Sequence, residues 1–264
     1  MRFECDLMVG SYPNLIVDSK GKVAIVRINR PEKLNALDDA LMKNLGRAFS
    51  GIAGDKRYKA IVVSGDGGKA FCAGADIEHL SGLKSRKDIR EFVDLTHSLM
   101  DRIAGIGKPV IAAIDGYCLG GGFELALACD IRIATSKSMF GLPEVKLGII
   151  PGGGGTQRLP LLAGPSKAKE LIFTGRIIGA KEALSIRLVD RVVSNGALGE
   201  AVSLADEICR NSGNSVRLAK AAINAGLTGQ NFTAEADAFI SAVLNRDSRE
   251  GLRAFLERRR PEFD

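Results

Sequence analysis

The chain of 264 residues contains no tryptophan, only three tyrosines and two histidines, and its five cysteines are scattered. Cys5, Cys72, Cys118, Cys129 and Cys209 are odd in number and form no C-x-x-C pair, which argues against a disulfide framework or a zinc knuckle. They read as small apolar residues in a reducing cytosol rather than as nucleophiles. With aromatics this few and no dense Lys/Arg run between them, stacking platforms for nucleic acid are scarce. Only His79 and His97 are available to a Ser-His-Asp arrangement, and G-x-S-x-G is absent, so familiar hydrolase chemistry is not expected. H-E-x-x-H is missing too, and no metal site is expected from two separate histidines. Neither G-x-G-x-x-G nor G-x-x-x-x-G-K-[ST] occurs, although there are 31 glycines, which must therefore serve some other backbone geometry. No uncharged stretch reaches the ~18 apolar residues of a membrane span. Glu4 and Asp6 interrupt the N-terminus where a signal peptide would be apolar, so a cytoplasmic protein is expected.

What is present suits a core-forming protein of one or two domains: 45% of residues are hydrophobic and 26% charged. The net charge of +6 favours an anionic ligand without naming one. Residues 201–264 carry equal numbers of basic and acidic side chains, so the excess lies in the first 200.

Apolar, β-rich runs at 23–29, 60–64, 109–115, 130–135 and 189–193 read as strands. Segments 38–52 and 88–103 return apolar residues every three or four positions and read as helices, so the alternation predicts an α/β fold. After Gly196 the strand signals stop. Helices are predicted over 198–210, 215–227 and 233–245, with a last one opened by Asp247 and Glu250 in a capping-box pattern. In that last helix Leu252, Phe255 and Leu256 form one apolar stripe, either core or interaction surface. A soft boundary is placed near 200, dividing a core at 1–199 from a helical region at 200–264.

Three segments carry the chemical signal. In KPVIAAIDGYCLGGGFELALACDIRIA, residues 108–134, three glycines sit where a strand becomes a helix. Without side chains they let a ligand approach the backbone, and the first amides of a helix have no partner within it. Close packing alone would also explain them. AFCAGADIEHL at 70–80 places Ala73, Gly74 and Ala75 after a strand and a flexible turn, so one amide from each segment can form an oxyanion hole. FGLPEVKLGIIPGGGGTQRL at 140–159 sets Glu144 before another glycine-rich turn, and Glu124 lies in the first turn of the glycine-led helix. Either glutamate alone would be an ordinary surface carboxylate.

Together with NRPEKLNAL at 29–37 and SREGLRAFLERRR at 248–260, these segments resemble the crotonase superfamily, and among its members enoyl-CoA hydratases and isomerases. The resemblance runs almost end to end. It implies a spiral of ββα turns followed by a helical C-terminal region that drives assembly into a homotrimer or a dimer of trimers. It implies an acyl-CoA thioester substrate, with coenzyme A as part of the substrate and no separate cofactor. By resemblance the amides of Ala75 and Gly121 hold the thioester oxygen, Glu124 is the base toward water and Glu144 the acid toward C2. The stretches Leu34 to Ala36 and Ala75, Asp76, Ile77 and Glu78 line the substrate path, with Lys20 and Lys33 as candidate helpers. Phe255 and Arg258 resemble residues that contact coenzyme A. Leu142 and Phe123 depart from the usual pattern beside the glutamates and are expected to reshape the acyl pocket. Both glutamates together favour hydration over a Δ3,Δ2-enoyl-CoA isomerase. Dehydration of a specialised 3-hydroxyacyl-CoA uses the same residues, and a crotonase-fold RNA-binding protein is the rival of another class.

Overall fold

The computed structural model describes residues 12–227 and 229–263; Glu4, Cys5 and Asp6 lie outside them. The strands are β1 (Leu15–Lys20), β2 (Val23–Ile28), β3 (Ala60–Gly65), β4 (Ala70–Cys72), β5 (Val110–Ile114), β6 (Tyr117–Leu119), β7 (Ile131–Thr135), β8 (Met139–Gly141), β9 (Ile178–Gly179) and β10 (Arg191–Val193). The helices of the first part are α1 (Asp39–Gly54), α2 (Ile77–Gly82), α3 (Arg86–Gly105), α4 (Gly121–Ala128), α5 (Gly155–Ala163), α6 (Pro165–Thr174) and α7 (Ala180–Ser185). Those of the tail are α8 (Ala197–Cys209), α9 (Gly213–Gly226), α10 (Phe232–Val243) and α11 (Arg246–Leu256).

Two sheets result, in the orders β1-β2-β3-β5-β7-β10 and β4-β6-β8-β9. Each turn of the chain gives one strand to the large sheet and the next to the small one: β3 then β4, β5 then β6, β7 then β8. A helix or helical turn follows each pair, so the α/β spiral of ββα turns is what the chain adopts. The pairs β2–β3, β3–β5 and β5–β7 are parallel, and strands covered on both faces must be apolar throughout, as VAIVRI and VIAAI nearly are.

The alternating side chains divide between two cores. Ala24, Val26, Ile61, Val63, Ala112 and Ile114 face the larger one with α1, α3 and α4. Val23, Ile25, Val62, Ile111 and Ile133 face the other, closed by Ala197, Ala201, Val202 and Ala205 of α8. Each large aliphatic side chain so buried contributes roughly 1.5–3 kcal/mol. Residue 200 thus lies in a helix packed on the sheet, whereas among the described residues of α9, α10 and α11 only Ala254 is buried. Phe255 and Leu256 are exposed, which settles the stripe on α11 as surface within one chain.

Local details differ from the sequence pattern in two places. Asp247 and Glu250 do not form the capping box. Asn245 caps α11 by accepting from the Asp247 amide, while the Asp247 carboxylate accepts from Ser212 Oγ and Glu250 pairs with Arg253 and Arg259. A true capping box joins Ser85 and Asp88 at the start of α3. No helix among the described residues is long and apolar enough to cross a membrane.

Candidate active site

The site forms where four chain segments leave the ends of their strands, β2, β4, β6 and β8. After β2, Leu34 and Asn35 both take positive φ, +51° and +59°, a turn that asparagine accepts more readily than leucine. Asn35 fixes it: its Nδ2 donates to the carbonyls of Asp66 and Ala70, and its Oδ1 accepts from the Arg30 amide. Arg30 ion-pairs with Asp38 at 3.1 Å and Asp76 at 2.9 Å and donates to the Ala36 carbonyl. Burial raises the Asp76 carboxyl, but the amide of His79 and the Arg30 guanidinium outweigh it and hold Asp76 below its ordinary value.

This bracing brings the candidate substrate path together. Ala73 donates to Leu34, Leu37 donates to Gly74, and Asp76 donates back to Leu37, all through backbone, so residues 34–37 run beside 73–76. Lys33 pairs with Glu78 across the two segments at 2.7 Å, and Ile77 is exposed beside it.

The third segment delivers Gly120 and Gly121. Gly120 has φ +51° and ψ −130°, a conformation that excludes side chains and turns β6 directly into α4. A Cβ on Gly121 would stand 3.5 Å from the Ala75 amide nitrogen, so the two small-residue loops meet. Neither the Ala75 nor the Gly121 amide has an acceptor among the described residues. Gly121 also begins α4, where the helix dipole favours negative charge.

Two carboxylates flank these amides in unlike states. Glu124, on the first turn of α4, is only 3% exposed, and its Oε1 accepts from the amides of Gly153 and Gly155, each at 2.8 Å. Burial pushes its pKa up, against those two amides and the nearby Arg158 charge. Glu144 opens a helical turn after β8, and its Oε1 lies 3.3 Å from where a Gly120 Cβ would be. Its Oε2 is buried with no hydrogen-bond partner. Burial, with the Glu124 charge adding to it, pushes Glu144 up to about 7. Glu124 is thus held by two amide donors from another element, while Glu144 has only its own backbone amide against its burial and an unpartnered Oε2, an arrangement suited to a base and an acid sharing one site.

Other expected participants fall elsewhere. Phe123 belongs to the core: it is buried against Phe140, ring centroids 5.6 Å apart. Leu142 is buried too, and its Cδ1 would stand 2.9 Å from a Cβ on Gly155, so it backs the glycine loop. Phe255 is 81% exposed on α11, and Arg258 follows that helix at φ +55°. Neither forms a hydrogen bond to the other site residues. Among the described residues, no group of three or more His, Cys, Asp or Glu side chains is placed to hold a metal ion. The side chains of Arg30 and Asn35 and the donors Gly153 and Gly155 have no role read from the sequence, although all lie inside the quoted motifs.

The chain as a whole is similar to known proteins. Residues 18–264 match the family model described as enoyl-CoA hydratase/isomerase. The chain is 42% identical over 257 residues to a crotonyl-CoA hydratase of Syntrophomonas wolfei, covering 96% of this chain and 98% of that one. It is 43% identical to a short-chain-enoyl-CoA hydratase of Clostridium acetobutylicum, covering 94% and 97%. A crystal structure of an enoyl-CoA hydratase from Bacillus anthracis superposes with a TM-score of 0.90 at 40% identity, covering 95% and 98%.

Proposed function

The chain belongs to the enoyl-CoA hydratase/isomerase family, and from that premise we propose that Glu124 and Glu144 add water across the 2,3 double bond of a 2-enoyl-CoA thioester. It is an enoyl-CoA hydratase, a lyase of fatty acid metabolism whose substrate is an acyl-CoA thioester. What carries the residue assignment is the asymmetry of the two carboxylates: Glu124 with two amide donors, Glu144 Oε2 with none.

The amides of Ala75 and Gly121 receive the thioester oxygen and polarise the conjugated double bond toward it. Water attacks C3 as one of its protons passes to Glu124, whose negative form the Gly153 and Gly155 amides stabilise. The resulting enolate-like electron pair is held at the oxyanion and then takes a proton at C2 from Glu144, which burial keeps protonated near neutrality. The product gains the elements of one water: the oxygen and one hydrogen of the attacking water at C3, and at C2 the proton from Glu144, while the other water proton stays on Glu124. Proton exchange returns Glu124 to the base form and Glu144 to the acid form.

The segments around Leu34, Ala36 and Ala75 to Glu78 receive the pantetheine and adenine parts, supported by their backbone pairing. We assign the exposed apolar side chains of the tail, among them Phe239, Leu244 and Phe255, to contacts between copies in a trimer or a dimer of trimers, with Phe255 and Arg258 reaching a neighbour's coenzyme A. The thiols of Cys72, Cys118 and Cys129 are free and buried, which suits the reducing cytoplasm.

The test is the ultraviolet absorbance of crotonyl-CoA, which falls as its conjugation is lost on hydration. Wild type should consume it rapidly and E124Q and E144Q should not. Binding of enoyl-CoA thioesters without loss of absorbance, across short, long and aromatic acyl groups, would discard hydration in favour of an isomerase.

A further inference from the structure

Glu124 owes its paired hydrogen bonds to residues 153–155, part of a run of four glycines at 152–155 that has little stiffness of its own. What holds this loop is a side chain of the next helix. Arg158 lies in the first turns of α5, and its backbone amide donates to the Gly154 carbonyl. Its side chain turns back, so that Nη1 donates to the Gly153 carbonyl at 3.2 Å while Nη2 pairs with Asp101 of α3 at 2.7 Å. The Gly153 carbonyl belongs to the peptide that lies between the two donors of Glu124, the amides of Gly153 and Gly155. Gly154 sits at φ +103°, a backbone conformation that side chains rarely adopt, and a Cβ there would push Arg158 Nη1 aside. The loop is also seated on α3, where Thr96 Cγ2 would be 3.0 Å from a Gly153 Cβ.

We propose that Arg158 is a positioning residue for hydration: it pins the peptide between the two amide donors and so fixes the Glu124 carboxylate opposite Glu144. This rests on the reading of Glu124 as the base. Asp101 is 75% exposed, and a pair so open to water adds little to stability, so the clamp is built for orientation rather than for holding the fold together. The guanidinium suits that task because its planar fork directs one nitrogen to the loop and another to α3. Its charge also favours the ionised form of Glu124.

The experiment compares R158Q, R158K, D101N and E124Q in crotonyl-CoA hydration over pH, with thermal melting of each. R158Q should lower kcat by roughly tenfold or more, the scale of a displaced reacting group, with KM within about twofold. It should also move the acidic limb of kcat/KM to higher pH, because a cation beside the base is gone. R158K keeps the charge and loses the fork, so the limb should stay while kcat falls. D101N leaves the Arg158 charge uncompensated, so the limb should not rise. Wild-type kcat and an unmoved limb in R158Q, with E124Q inactive, would overturn the clamp and leave the base assignment standing. A lowered melting temperature with an unmoved limb would reduce Arg158 to a structural role. Full activity in E124Q would remove the base assignment and the clamp with it.

Discussion

The amide of Gly155, the first residue of α5, stands 2.8 Å from Oε1 of Glu124 on α4, so the start of one helix holds the carboxylate carried by another. A Cβ at position 155 would lie 2.9 Å from that same oxygen, and one at 153 would lie 2.6 Å from Oε2. Gly155→Ala or Gly153→Ala must therefore displace the carboxylate. The expected result is a kcat lowered on the order of 10²-fold with KM little changed, the size of effect of a misplaced reacting group. Steady-state kinetics on crotonyl-CoA measures it, and an unaltered kcat would show that the placement of the Glu124 carboxylate is not critical.

Each of the two glutamates should be needed in full. E124Q and E144Q keep the shape of the side chain and remove its proton transfer, for which losses of about 10²–10⁴-fold are usual. The decline of crotonyl-CoA absorbance under saturating substrate reports kcat directly. A variant within a few-fold of wild type would take that residue out of the mechanism.

The pH dependence follows from Glu144. As the acid it must carry its proton, and burial pushes it up to about 7, so kcat/KM should fall as pH rises beyond about 7. The two carboxylates titrate as a coupled pair, so the limb belongs to the site as a whole. The residual rate of E144Q should lack this alkaline limb.

The same shift has a consequence for stability. A carboxyl raised from 4.5 to about 7 in the folded chain favours folding fully below 4.5, and that contribution is lost as pH rises through about 7. E144Q should therefore melt higher than wild type in alkaline buffer, by a few degrees if the effect is about 1 kcal/mol. The difference should vanish at acid pH. Scanning calorimetry of both proteins across pH decides it, and an equal difference at every pH would assign the effect to packing.

Asn35→Ala tests the turn behind the substrate path. It strands the carbonyls of Asp66 and Ala70 and the amide of Arg30. It also places alanine at φ +59°. Losing a buried partner costs about 1–3 kcal/mol, and denaturant unfolding should show at least that much. KM for the thioester should rise as well, because residues 34–37 brace 73–76.

Much of this was legible in residue order. Continuous apolar runs marked β2, β3, β5, β7 and β10 of the large sheet, because strands covered on both faces must be apolar throughout, whereas β1 had no such run; 38–52 and 88–103 marked α1 and α3, because burial on one face of a helix imposes a repeat of three to four residues. The short strands β4, β6 and β8 were hidden in glycine-rich segments, since three residues carry no period. The capping of α11 was misread because Asn245 and Asp247 both suit a helix start, and only the position of Ser212 Oγ decides between them.

By itself the sequence determined the α/β alternation, the two glycine-led loops and the presence of Glu124 and Glu144, since composition and spacing are local properties. Tertiary structure alone decided that Glu124 accepts two amides while Glu144 Oε2 accepts none, that Phe123 turns into the core, and that Arg158 reaches back to Gly153. The donors of Glu124 lie 29 and 31 positions from it along the chain, and even Arg158, five residues from Gly153, reaches it only by folding back from a helix. A carboxylate's protonation depends on its desolvation and on donors from other elements, and no spacing along the chain encodes either.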